Sequence, residues 1–314
     1  MSATKSKSFY ILITAILNVN LLIGTFNIGI ARAAALWEYV GTACFSVGSA
    51  FDTSLALGSD DTPYVAFSDG SDGRKATLMK YNGTSWESVG STGFSAGHAG
   101  YTSLALDSSD TPYVAYVDQE YANKATLMKF NGTNWEAVGA AGFSAGGVTR
   151  TSLALDSNDI PYVVYPDQAN GNKATLMTYN GTAWESVGSP GFTTGSAYYT
   201  FLVLDSEDKP YVAFLDYDHD QKATVMKHTG TDWEIVGDPG FSAGRAMYIS
   251  MALDSQDTPY ITYRDSGTGG RITVMKYNGA NWENVGTAGF SSGLGYFPSI
   301  ALDSDDVPYV KFEN

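Results

Sequence analysis

Six tryptophans, Trp37, Trp86, Trp135, Trp184, Trp233 and Trp282, follow one another at intervals of 49 residues, and the chain has no others. Pro63, Pro112, Pro161, Pro210, Pro259 and Pro308 keep the same step. So do Phe45, Phe94, Phe143, Phe192, Phe241 and Phe290. A fixed period without insertions means one supersecondary unit stacked many times, and it excludes most other architectures at once.

The second unit shows what is repeated. Four short runs read as strands: 102–107, 112–118, 125–130 and 135–139. They are rich in β-branched and aromatic residues, too short for helices, and separated by turn residues. Proline opens the second run, where it costs no ladder hydrogen bond. Asp and Ser fill the turn before it, where their side chains bond to the backbone. Asn131-Gly132 joins the third run to the fourth, the pairing expected of a two-residue type I′ hairpin. Each unit is therefore expected to be a four-stranded antiparallel meander. One such sheet cannot bury both of its faces, whereas a radial array can. The expectation is an all-β, six-bladed β-propeller over residues 36–314, with each tryptophan wedged between neighbouring blades. Only five third strands are present, so the last blade is incomplete. The N-terminal strand, 37–41, is expected to close it.

Residues 1–35 lie outside the repeat. Lys5 and Lys7 precede an apolar run from Phe9 to Ile30, and small residues around Arg32 follow. This pattern predicts a secretory signal peptide and an exported mature chain without a membrane span. An uncleaved anchor is the alternative, since the run is long enough to span. The chain carries 18 basic and 33 acidic residues, a net charge of −15, and no basic stripe. Nucleic acid is accordingly not an expected partner. Cys44 is the only cysteine, so no intrachain disulfide can form.

Residues 104–118, followed by 124–130 and a fourth strand beginning Trp-Glu, resemble the NHL repeat. The unit also looks like repeats of secreted bacterial proteins. The NHL resemblance implies a six-bladed propeller, and some metal-dependent lyases of that class use histidines on one face. The bacterial repeats imply extracellular binding.

Comparison among the six units locates variation in two segments only. One joins the fourth strand to the next first strand; the other joins the second strand to the third. Both emerge at one end of a meander, around the mouth of the channel. The residue entering the first strand is in turn Asp52, Tyr101, Arg150, Tyr199, Tyr248 and Phe297, with Tyr198 and Tyr296 just before two of them. Such an aromatic rim with an acid and a base suits a carbohydrate, a peptide or a protein loop. The same rings would also suit a plug closing the channel. His98 and His219 fall at this end and His228 at the opposite turn; His98 joins the candidate ligand-binding set.

Two acidic patterns have competing explanations. Asp69, Asp118, Asp167, Asp216 and Asp265 each stand six residues before a lysine or arginine, as expected of cross-strand ion pairs. Asp216, Asp218 and Asp220 alternate as calcium loops begin, which makes them a candidate metal site and calcium a conceivable cofactor. Gln221 and Lys227 stand where such a loop needs glycine and glutamate, which favours a solvated acidic loop instead. No nucleotide-binding glycine motif and no nucleophile–base pair is evident, and no catalytic residue is assigned. The expected function is a secreted, non-catalytic binding propeller. The alternatives are a lyase or glycan-active hydrolase, or a structural module of a larger surface protein.

Overall fold

The computed structural model describes residues 39–313; the expected signal peptide lies outside them. Five units are four-stranded meanders. The first blade is β1 (Ala50–Leu57), β2 (Pro63–Asp69), β3 (Lys75–Tyr81) and β4 (Trp86–Ser88). The second is β5 (Ala99–Leu106), β6 (Pro112–Asp118), β7 (Lys124–Phe130) and β8 (Trp135–Ala137). The third is β9 (Ser152–Leu155), β10 (Pro161–Asp167), β11 (Lys173–Tyr179) and β12 (Trp184–Ser186). The fourth is β13 (Ala197–Leu204), β14 (Pro210–Asp216), β15 (Lys222–His228) and β16 (Trp233–Ile235). The fifth is β17 (Ala246–Leu253), β18 (Pro259–Asp265), β19 (Arg271–Tyr277) and β20 (Trp282–Asn284). Last come β21 (Tyr296–Leu302) and β22 (Pro308–Glu313), paired only with each other. All pairings within blades are antiparallel and follow chain order.

The count of six blades is thereby corrected to five complete four-stranded blades and a two-stranded sheet. Each fourth strand pairs only with the third strand of its own blade, and the last sheet holds β21 and β22 alone. The described part of the expected closing strand does not pair with the last sheet. Trp37 and Glu38 lie outside the described residues, and Tyr39–Gly41 joins no sheet. First strands pack successively, β1 on β5, β5 on β9, β9 on β13, β13 on β17 and β17 on β21. Among the described residues β21 and β1 share no packing of comparable extent. The result is visible at one repeated position. Leu55 is 46 % exposed, whereas Leu104, Leu153, Leu202, Met251 and Ile300 are at most 7 % exposed against the blade before them.

Three links join each blade to its neighbour. The tryptophan wedge is one of them: each indole from Trp86 onward stacks on the phenylalanine of the preceding unit at 3.8–4.1 Å between centroids. Its Nε1 donates to a valine carbonyl of that unit at 2.8–3.2 Å. The valine is followed by glycine because the indole leaves no room. A Cβ on Gly90, whose φ is +70°, would sit 2.6 Å from Phe130 and 3.0 Å from Trp135. A second link runs through the turn acids. Asp107 caps its own turn by accepting from the amides of Ser109 and Thr111. Asp159, in contrast, accepts from the amide and hydroxyl of Ser108 in the blade before, both at 2.7 Å. Those bonds hold the Asp159 carboxyl below the usual carboxylate range. The same staple recurs from Ser59 to Asp110 and from Ser255 to Asp306. The third link is a first-strand serine, such as Ser54 accepting from the amide of Leu104. Phe201 replaces that serine in the fourth blade.

Two local expectations are corrected. The Asn-Gly loop is not a two-residue turn, because Tyr81 pairs with Trp86 and leaves four residues between. Only Gly83 takes a left-handed φ; Asn82 instead accepts from the amides of Thr84 and Ser85. The acids ending each second strand form no ion pairs with the basic residues opposite. They are buried. Asp118 accepts from the Glu120 amide and from the Thr126 hydroxyl at 2.9 Å, and Thr126 in turn accepts from the Gly142 amide. Burial makes this carboxylate costly, and its protonation shifts above the usual range. The basic residues opposite are half-buried in four blades and exposed at Arg271.

Candidate functional site

The rim residues occupy an unusual piece of backbone. Strand β5 starts at Ala99, earlier than the apolar pattern suggests, and passes through a bulge between Gly100 and Ser103. The bulge residue adopts a left-handed φ in five units: Asp52 (48°), Tyr101 (51°), Tyr199 (53°), Tyr248 (56°) and Phe297 (48°). A bulge re-aims one side chain without breaking the ladder beyond it. Arg150 is the exception. Its φ is not positive, and its strand, β9, keeps only four residues where β5, β13 and β17 have eight. The next residue ties rim to rim: Thr151 donates to the Tyr101 carbonyl at 2.9 Å, and Thr102 to that of Asp52.

The expected residues are largely brought together. Arg150 lies between two neighbours, its guanidinium 5.6 Å from the Tyr101 ring and 5.5 Å from the Tyr199 ring. Tyr199 meets Tyr248 at 5.0 Å, and Tyr248 meets Phe297 at 4.5 Å and Tyr296 at 6.4 Å. Arg264, within the second strand β18 and so outside both variable segments, lies 4.4 Å from the Tyr296 ring. Burial draws the Arg150 guanidinium below its ordinary value, against the pull of Tyr101, Tyr199, Asp52 and Tyr248. Burial likewise raises the Tyr199 phenol. Asp52 acts on Arg150 only at a distance. Tyr198 turns away to its own blade, meeting Tyr217 at a tilt with 5.2 Å between centroids. His98 is tied down through its backbone carbonyl, which accepts from Gln119, while its Nδ1 is buried without a partner among the described residues.

The acidic loop is arranged differently from a cation cradle. Asp216 turns inward, accepting from the Asp218 amide on one oxygen and from Thr224 and His219 on the other. Asp220 takes a left-handed φ at the end of the turn. Among the described residues no three acidic, histidine or cysteine side chains gather as a metal would need. Both Asp216 oxygens are thereby engaged by protein groups. His228 stands one residue before the turn position, where other units carry Tyr or Phe. It meets Trp233 edge-on at 5.2 Å.

Two further hollows lie between blades at the opposite, unvarying end. One, of about 420 Å3, is lined by Tyr113, Lys129, Glu136, Pro161, Tyr179 and Asn180. The other, of about 560 Å3, is lined by Tyr211, Lys227, Asp257, Tyr260, Tyr277 and Asn278. In each a lysine stands over a tyrosine, Lys129 at 5.0 Å and Lys227 at 4.7 Å. Repeated positions build both hollows, so they fall outside the variable segments. The recurrence of Tyr, Lys and Asn-Gly in most units was the available signal.

No protein-family model matches the sequence, and no curated protein matches it. Solved structures do. A mutant of the Aleuria aurantia lectin AAL, in complex with Fucα1-6GlcNAc, is similar at 14 % identity with a TM-score of 0.55, over 84 % of this chain and 88 % of that one. The SapL1 lectin in complex with α-methyl fucoside is similar at 16 % identity and a TM-score of 0.56, over 86 % and 89 %. An ulvan lyase bound to a -[GlcA(1-4)Rha3S]- chain is similar at 13 % identity and 0.52, over 76 % and 71 %. Among the described residues no helix is long and apolar enough to cross a membrane. The specific NHL assignment gains no match; what these likenesses show is the broader half of that resemblance, a β-propeller of repeated four-stranded blades.

Proposed function

We propose that the protein is an exported, non-catalytic propeller that binds carbohydrate at the mouth of its channel. One observation supports this reading: rim residues from consecutive blades meet in a run of aromatic rings, with Arg150 set between Tyr101 and Tyr199. Aromatic rings with polar neighbours suit the apolar faces and hydroxyls of sugars. The lectins of similar fold support the choice of sugar over peptide. Tyr101→Ala combined with Tyr199→Ala tests it on a glycan array. Loss of the parent's signal, in a variant that still melts cooperatively, is the expected result. An undiminished signal removes the rim from consideration. Detection of the chain in culture medium, beginning near residue 36, is the matching test of export.

The hollows between blades favour a second reading, with several equivalent sugar sites at the other end. Lys129→Ala with Tyr113→Ala separates the two. Under the first reading these changes leave array binding intact; under the second they weaken it in proportion to the sites removed.

A further inference from the structure

We infer that the sugar taken at this mouth is an anionic one, its carboxylate or sulfate seated against Arg150. The inference rests on the rim reading above and adds the chemical class of the ligand. Among the described residues no carboxylate lies within ion-pair distance of Arg150, and its guanidinium makes no hydrogen bond. Its close neighbours are the two tyrosine rings. Stacking satisfies the faces of a guanidinium, whereas its N–H groups form a planar fork that matches a carboxylate or sulfate. A half-buried cation without a counter-ion is costly, and an anion arriving with the ligand would offset that cost.

Position strengthens the argument. Arg150 is the one rim residue whose unit departs from the bulge geometry of the others. A second guanidinium stands at the far end of the same aromatic run. From Arg150 the rings pass through Tyr199, Tyr248 and Tyr296 to Arg264, whose Nε is buried without a partner. Three rings bracketed by two cations fit a short stretch of an acidic polysaccharide better than a single neutral sugar. The chain's net charge of −15 opposes an anion at long range. That opposition is screened beyond about 8 Å at physiological salt, so contacts at the mouth decide.

The test is calorimetric titration with tetragalacturonate and chondroitin sulfate oligosaccharides. Their methyl-esterified and desulfated forms are the neutralised controls. At least one charged probe is expected to bind about tenfold or more tightly than its control. Arg150→Gln is expected to erase that preference, and Arg150→Lys to keep part of it. Arg264→Gln reports the second cation in a fold that leaves Arg150 intact. Equal binding of charged and neutralised forms, sensitive to Tyr199→Ala, overturns the inference and leaves the carbohydrate reading standing. A charge preference that survives both Arg150→Gln and Arg264→Gln also overturns it. Binding of no probe, charged or neutral, counts against both.

Discussion

At the scale of single residues, the departures from the repeat are the most instructive. Asp205 is buried and receives Lys227 at 2.8 Å. Burial alone would raise the Asp205 carboxyl, but hydrogen bonds from Lys227 and two backbone amides outweigh it and hold the group low. Burial would lower the Lys227 amine; its bonds to Asp205 and Tyr211 instead push it up to about 12. The stabilisation is thus full above the unfolded carboxyl value, near 3.9, and is lost as pH falls through the depressed folded value. Lys227→Met should cost about 2–3 kcal/mol at neutral pH in urea melts, and the deficit should shrink in acid as Asp205 protonates. Burial depresses the protonation of His228, which stands where other units carry Tyr or Phe. Its contribution holds above the unfolded value, near 6.5, and is lost as pH falls through the folded one. His228→Tyr should therefore gain roughly 0.5–1 kcal/mol at pH 7 and flatten the stability profile between pH 7 and 5. Neither partner of these environments is visible in the sequence. The acid-to-base spacing pointed to ion pairs in every blade, yet those acids bond to threonine and loop amides. Spacing reports which residues face across a hairpin, not which way a buried carboxylate turns.

At the scale of elements, the sequence was far more legible. Alternation, proline position and turn residues located the second, third and fourth strands to within a residue or two. The first strand was misjudged by three residues, since a bulge carries it past the end of its apolar pattern. That bulge is what aims the rim residues, so the candidate site was legible as a set of positions and not as a geometry. The tryptophan wedge was legible for Trp86 and the four tryptophans after it, because an indole repeated in every unit has to be buried between units. Trp135 stacks on Phe94 at 3.9 Å and bonds to the Val89 carbonyl at 3.0 Å. Trp135→Ala should cost about 2–4 kcal/mol in denaturant melts. Trp135→Phe should recover part of it by restoring the stack without the hydrogen bond. A parent-like melt for the alanine variant would refute the wedge.

At the scale of the whole molecule, counting units overstated the count of blades. A repeat count registers first and second strands alike, but a blade needs all four strands to bury both faces. The leucine of the first strand makes the consequence measurable. Leu202→Ala should cost about 2–5 kcal/mol, whereas Leu55→Ala, at the open end, should stay within about 0.5 kcal/mol. Equal costs would mean that a blade covers Leu55 after all.

The serine-to-aspartate staples always reach from one blade to the next and never further. A molecule joined this way behaves as a short zipper, whose stability accumulates from nearest-neighbour couplings. Its amides should exchange with deuterium in order of rank, fastest in β1 and β22 and slowest in the third blade. The candidate cation, Arg150, enters that third blade, at the position the last fraying end would reach.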